Sequence, residues 1–177
     1  MDVPGWVMVG AAACVVVWAV VLSAYDIMRR RLPNIGTYTG AIVALVVSVG
    51  TGNPRWLLGG LVWAGLYALM RALSRLRRRV RRSARSARRA AAYSAAFGAG
   101  DIKLGFSTGT LAAAVSPEAV LVAIVVAQLL TVLVGVVTRR ATVAHGPMML
   151  LAALGVAAYG LGWGAPIDAL APGFVRQ

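Results

Sequence analysis

Two stretches without a single charge, Val7 to Ala24 and Ala119 to Val137, decide most of what this chain can become. Each approaches the ~20 apolar residues that an α-helix needs to cross the hydrocarbon core of a bilayer. Inside hydrocarbon a backbone must satisfy its own hydrogen bonds, so runs of this kind fold as helices. Sixty per cent (60%) of the 177 residues are hydrophobic and the mean hydropathy is +0.79. That leaves too little polar side chain to coat a soluble globule, which excludes a soluble enzyme. A removable signal peptide fits the first run poorly, because its charges follow the apolar stretch and further apolar runs come after it.

Taken in order, the apolar runs place spans near 5–25, 35–50, 56–70, 102–115, 119–137 and 146–163. The expectation is an all-α membrane protein, a single membrane domain over 1–177 built as a bundle of about six transmembrane helices. The net charge of +13, from 18 Lys and Arg against five acids, would suggest nucleic acid in a soluble protein. Here the placement of the charges matters more. Arg29, Arg30 and Arg31 follow the first run, ten arginines lie between Arg71 and Arg89, and Arg139 with Arg140 follow the fifth run. With the N-terminus outside, alternation puts these and Lys103 in the cytoplasm, so sixteen of the eighteen basic residues obey the positive-inside rule.

Two turns support the segmentation. Asn53-Pro54 and Ser116-Pro117-Glu118 each put a capping side chain before a proline at a helix start. The third and fourth spans are short, and the fourth, with Gly105 and Gly109, reads as a thin or broken helix. The basic segment 71–97 has helical spacing. Leu73, Leu76, Val80, Ala84, Ala87 and Ala91 step by three or four along one face, and Arg71, Arg75, Arg78, Arg82, Arg85 and Arg89 do so along another. The expectation is a cytoplasmic amphipathic helix that binds anionic lipid along Arg71 to Arg89. No aromatic residue is interleaved among the arginines to stack bases, which argues against nucleic acid as a partner.

The five acids carry the chemical information, because ionisable groups near membrane depth are costly unless they have a task. Asp2, Glu118 and Asp168 fall in expected external segments. Asp26 falls at the cytoplasmic end of the first span and Asp101 at the cytoplasmic start of the fourth, so the topology brings both to one membrane face. Structural roles compete with a functional one: Asp26 could pair with Arg29 or Arg30 one turn on, and Asp101 could cap its helix. Two carboxylates that meet can instead share a proton, one taking a proton from water while the other donates to a carbonyl oxygen.

Asp26 opens Asp26-Ile27-Met28-Arg29-Arg30-Arg31-Leu32-Pro33-Asn34, and Asp101 closes Gly98-Ala99-Gly100-Asp101 and continues Ile102-Lys103-Leu104. On these residues the chain resembles the type IV prepilin peptidases, membrane aspartic proteases of the GxGD type, and it does so over nearly its whole length. The resemblance implies catalytic roles for Asp26 and Asp101, with Arg31, Pro33 and Asn34 supporting the first and Gly98, Gly100 and Lys103 the second. A family turn before the last span is matched in part by Ala144-His145-Gly146-Pro147, which keeps Gly146 and Pro147. It further implies a bacterial cytoplasmic membrane location and an active site at the cytoplasmic face. The substrates would be pilin-like precursors, cut after a short basic leader. The cysteine-rich insertion of the longer, methylating members is missing, and the lone Cys14 cannot build a four-thiolate zinc site. The expectation is therefore a short, peptidase-only member that needs neither metal nor cofactor.

Two rival readings remain on the sequence. Gly105-Phe106-Ser107-Thr108-Gly109 matches GxSxG, so Ser107 with His145, the only histidine, could form a rhomboid-like serine dyad. Alternatively, Asp26 and Asp101 could serve a small transporter as a proton or cation relay. A relay needs acids at intermediate depths, and this chain places none there.

Overall fold

In the computed structural model, the described residues are 5–80, 98–139 and 143–162. Among them every regular element is an α-helix, and there are six: α1 (Gly5–Arg29), α2 (Asn34–Gly50), α3 (Trp56–Val80), α4 (Ala99–Ala113), α5 (Pro117–Thr138) and α6 (Gly146–Gly162). Three stretches, Val9–Arg29, Trp56–Leu76 and Pro117–Thr138, are long and apolar enough to cross a membrane, and α2 and α6 are shorter apolar helices. Large apolar side chains such as Val17, Val46, Leu129 and Val136 face outward. A protein in water would bury such side chains, whereas lipid solvates them.

The helix boundaries follow local chemistry. Helix α1 ends as Arg30 turns into the left-handed region at φ 51°, and Pro33, extended at ψ 130°, precedes the first residue of α2. Ser116 caps α5 as its sequence suggests, its hydroxyl accepting from the Ala119 N–H at 3.1 Å with Pro117 at the first helical position. Asn53 departs from the expectation. Its side chain donates to the Thr51 carbonyl at 2.9 Å, and its backbone carbonyl takes the Trp56 N–H at 3.1 Å. Helix α3 runs straight from the third apolar run through Arg71 to Val80, so the beginning of the basic segment is one helix with the span before it. Residues 81–97, where the rest of the arginine-rich helix was expected, lie outside the described residues.

Helix α4 occupies the centre. It packs most extensively on α3 and also contacts α2, α5 and α6. Leu104, Gly105, Ser107, Thr108, Gly109, Thr110 and Ala112 along it are all buried. It is continuous, so its glycines do not break it, but at 15 residues it is short of the ~20 a full crossing needs, as expected. Gly105 and Gly109 lie one turn apart on a single face and form the floor of a close crossing with α3. A methyl added at Gly109 would lie 2.5 Å from the Gly59 carbonyl oxygen and 2.9 Å from the Gly60 Cα. Small residues spaced by four allow backbones this near approach, which is how helices gain contact where lipid supplies no hydrophobic drive. Trp63, Tyr67, Leu22, Leu104 and Met149 fill the remaining core.

Candidate active site

Contacts far apart in sequence gather the end of α1, the starts of α2, α4 and α6, and the later turns of α3 and α5 at one end of the bundle. Lys103 of α4 donates to the Asn34 side chain at the start of α2 across 2.9 Å. The same ammonium sits 4.0 Å from the centre of the Tyr38 ring. Leu32 lies between α4 and α6: a methyl on Gly100 would be 2.8 Å from its Cβ, and one on Gly146 would be 3.3 Å from its Cδ2. Gly100 and Gly146 are therefore both pressed against the segment that follows Asp26, where a side chain would displace it. Pro33 is half-buried and receives the Thr37 amide on its carbonyl, Pro147 is buried, and Arg31 is exposed.

Both sequence-selected aspartates come to this end and both are buried, Asp26 at 6% exposure and Asp101 at 8%. Each is held by a backbone amide at a helix start. The Asp26 Oδ2 accepts from the Gly146 N–H at 3.2 Å, a contact spanning 120 residues. That N–H is one of the amides that no intrahelical acceptor can reach, so Asp26 also meets the positive end of α6. The Asp101 Oδ2 accepts from the Gly98 N–H at 2.7 Å, which lets α4 begin three residues before the expected 102. The local capping role considered for Asp101 is thus real, and it leaves the second carboxylate oxygen for other work. The two carboxylates interact electrostatically, and the Arg71 guanidinium acts on Asp101 with the opposite sign.

Arg71 corrects the simple reading of the basic stripe. Its Nη1 is buried and has no hydrogen-bond partner, so its head is directed into the protein at the carboxylate end, away from lipid headgroups. Its place was legible in one respect: it follows Trp63 and Tyr67 at intervals of four on α3.

The sequence reading singled out His145 but not its partners. His145 is buried immediately before α6. Its ring nitrogens lie 2.6 Å from the Tyr67 hydroxyl (Nε2) and 2.6 Å from the Thr131 hydroxyl (Nδ1). Thr131 spends its own proton on the Ala127 carbonyl at 2.7 Å, so it accepts from Nδ1–H. Nε2 is then the acceptor for the Tyr67 O–H, whose oxygen in turn takes a proton from Gln128 Nε2 at 3.0 Å. Burial pulls the imidazole down to about 4, so it is neutral at physiological pH. A signal existed: Gln128 and Thr131 are polar residues inside an otherwise apolar run, where an unpaired side chain would be costly.

This arrangement does not pair Ser107 with His145 as a serine dyad would require. Ser107 Oγ is buried without a hydrogen-bond partner, and a methyl on Gly40 of α2 would lie 3.1 Å from it. The serine is packed between helices, its flanking glycines serve the α3 crossing, and both His145 nitrogens are engaged elsewhere. Among the described residues, no group of three or more His, Cys, Asp or Glu gathers as a metal would require.

The family model of the type IV leader peptidase family matches residues 13–136. Searches of the curated proteins and of the solved structures gave no match.

Proposed function

We propose, from the premise that the chain belongs to the type IV leader peptidase family, that Asp26 and Asp101 are the catalytic pair of an aspartic endopeptidase. Family membership makes the protein a protease of the prepilin peptidase kind. Its catalytic type, substrate and side of action belong to the proposal. The carrying observation is that the fold brings two buried carboxylates from opposite halves of the chain to one end of the bundle, each bound through one oxygen to a helix-start amide.

Two carboxylates in one buried site cannot both ionise at little cost, so at working pH they share one proton and titrate as a unit. The ionised member takes a proton from water as that water attacks the scissile carbonyl carbon. The protonated member donates to the carbonyl oxygen, and the proton inventory is restored when the amine leaves. The substrate is a type IV prepilin-like precursor whose short basic leader is cut where its apolar helix leaves the bilayer. The site is at the bundle end that carries Arg29, Arg71 and Arg139. The positive-inside rule assigns that end to the cytoplasm, with six spans and the N-terminus outside. Anionic lipid binds along Arg75 to Arg89.

The test is leader removal in membranes, followed by gel shift. Asp26→Asn and Asp101→Asn each lose activity by at least the ~10²–10⁴-fold typical of general acid–base catalysis. The double variant is no worse than either single one, because neither carboxylate works alone. A single variant within about tenfold of wild type, inserted at normal abundance, refutes the assignment.

A further inference from the structure

The His145 cluster takes no part in the proton chemistry above, yet it is built with unusual completeness. Gln128 donates to Tyr67, Tyr67 to His145, His145 to Thr131 and Thr131 to the Ala127 carbonyl, over distances of 2.6–3.0 Å. Four polar side chains from α3, α5 and the residue before α6 are thereby linked in one chain of hydrogen bonds. A purely apolar core would pack these helices at lower desolvation cost. The cluster's location explains its presence better than stability does. His145 is bonded covalently to Gly146, the residue whose N–H reaches Asp26. The His145 carbonyl accepts from the Met148 and Met149 amides at 3.0 and 3.2 Å, so its backbone sets the first turn of α6.

We infer that His145 is a positioning residue: clamped between Tyr67 and Thr131, it fixes the start of α6 so that the Gly146 amide stays on the Asp26 carboxylate. Glycine has no side chain with which to hold itself in place, and the 3.2 Å bond to Asp26 is on the long side. The residue before it supplies the anchorage. Its ring is pinned at both nitrogens, so the peptide between His145 and Gly146 has little freedom to rotate. The inference rests on the reading of Asp26 as a catalytic carboxylate.

The chain contains a single histidine, so full-length protein labelled with ¹⁵N-histidine and reconstituted in liposomes gives one imidazole to observe. The expected spectrum is the neutral Nδ1–H tautomer, with an Nε2 signal that shifts in Tyr67→Phe. An Nε2–H tautomer, or no response to Tyr67→Phe, overturns the clamp. For leader cleavage per folded molecule, His145→Ala lowers kcat ~10–100-fold with KM unchanged, as the loss of a hydrogen bond to a charged group implies. His145→Gln, whose amide oxygen can still accept from Tyr67, restores most of it, and Tyr67→Phe added to His145→Ala costs nothing further. If His145→Ala does not fold, His145→Gln and Tyr67→Phe carry the kinetic test. A change confined to KM, or a kcat per folded molecule unchanged in all three, overturns the positioning role. Asp26→Asn is assayed alongside. Should it still cleave, the dyad reading fails and the kinetic inference with it. If Asp26→Asn is dead while the three clamp variants behave as wild type, only the clamp is refuted.

Discussion

At the scale of single residues, Ser107 and His145 illustrate how one motif can be read twice. GxSxG names a nucleophile only where the backbone presents the serine at a sharp turn. In a continuous helix the same spacing puts two glycines on one face and the serine on another. Ser107→Ala is therefore expected to cleave at near wild-type rate. It removes a buried hydroxyl that has no partner, an atom whose desolvation costs ~1–3 kcal/mol, so stability holds or rises. A folded but inactive Ser107→Ala would revive serine chemistry. His145 gives a pH signature of its own. Its folded value of about 4 lies below the ordinary imidazole value of 6.5, so between these limits the unfolded chain binds more protons. The stability it contributes is present above pH ~6.5 and is lost as pH falls toward 4, amounting to about 2 kcal/mol by pH 5. Unfolding in detergent at pH 7 and pH 5 should show a larger loss for wild type than for His145→Gln. Equal losses would mean that the imidazole is not held neutral.

At the scale of helices, the crossing of α3 and α4 supports the site, because α4 carries Asp101 and α3 carries Tyr67 and Arg71. Gly109→Ala places a methyl against the backbone of Gly59 and Gly60, atoms that cannot rotate aside. The helices must separate, at the ~1–3 kcal/mol that overpacking typically costs. Gly65→Ala, on the same α3 with nothing within 4 Å of its added methyl, should be neutral or stabilising by up to ~1 kcal/mol through helix propensity. Thermal unfolding of the two variants checks the contrast, and equal melting temperatures would show that the crossing is not close-packed. Much of this level was legible in the sequence. The six helices of the described residues overlap the six expected runs, and three of them are long and apolar enough to cross a membrane. Helix ends were less so. Helix α4 starts at Ala99 because the Asp101 carboxylate binds the Gly98 amide, an interaction that an apolar window does not register. Asp26 and Asp101 could be found because acids are so few. Gln128 and Thr131 stood out as polar residues in an apolar run, but their meeting with Tyr67 and His145 was not legible, because it depends on how α3, α5 and the start of α6 pack together.

At the scale of the whole molecule, the charge asymmetry calls for two separate roles, and Arg71 marks the division between them. Its head is buried near Asp101, whereas Leu73 and Leu76 beside it on α3 are exposed, as a helix leaving the bundle toward lipid and water requires. The arginines beyond that point are tempting as a docking surface for substrate, because they continue from the site end. Sign argues otherwise. A basic leader is repelled by a basic helix, and at physiological ionic strength that repulsion reaches over a Debye length of ~8 Å. Anionic headgroups, by contrast, attract each Lys or Arg near the surface by ~1 kcal/mol. Changing Arg77, Arg78, Arg79, Arg81 and Arg82 to Gln should therefore weaken binding to anionic liposomes or scramble orientation in the membrane. Cleavage per correctly inserted molecule should not fall. The measurement is specific activity normalised to protease-protected, correctly oriented protein, with precursors whose leaders carry three, one or no basic residues. The neutral leader should gain least from the substitution and the most basic leader most, since only the latter is relieved of repulsion. A large fall in normalised cleavage, deepest for leaders given acidic residues, would show instead that the arginines attract substrate and that their sign was chosen for it.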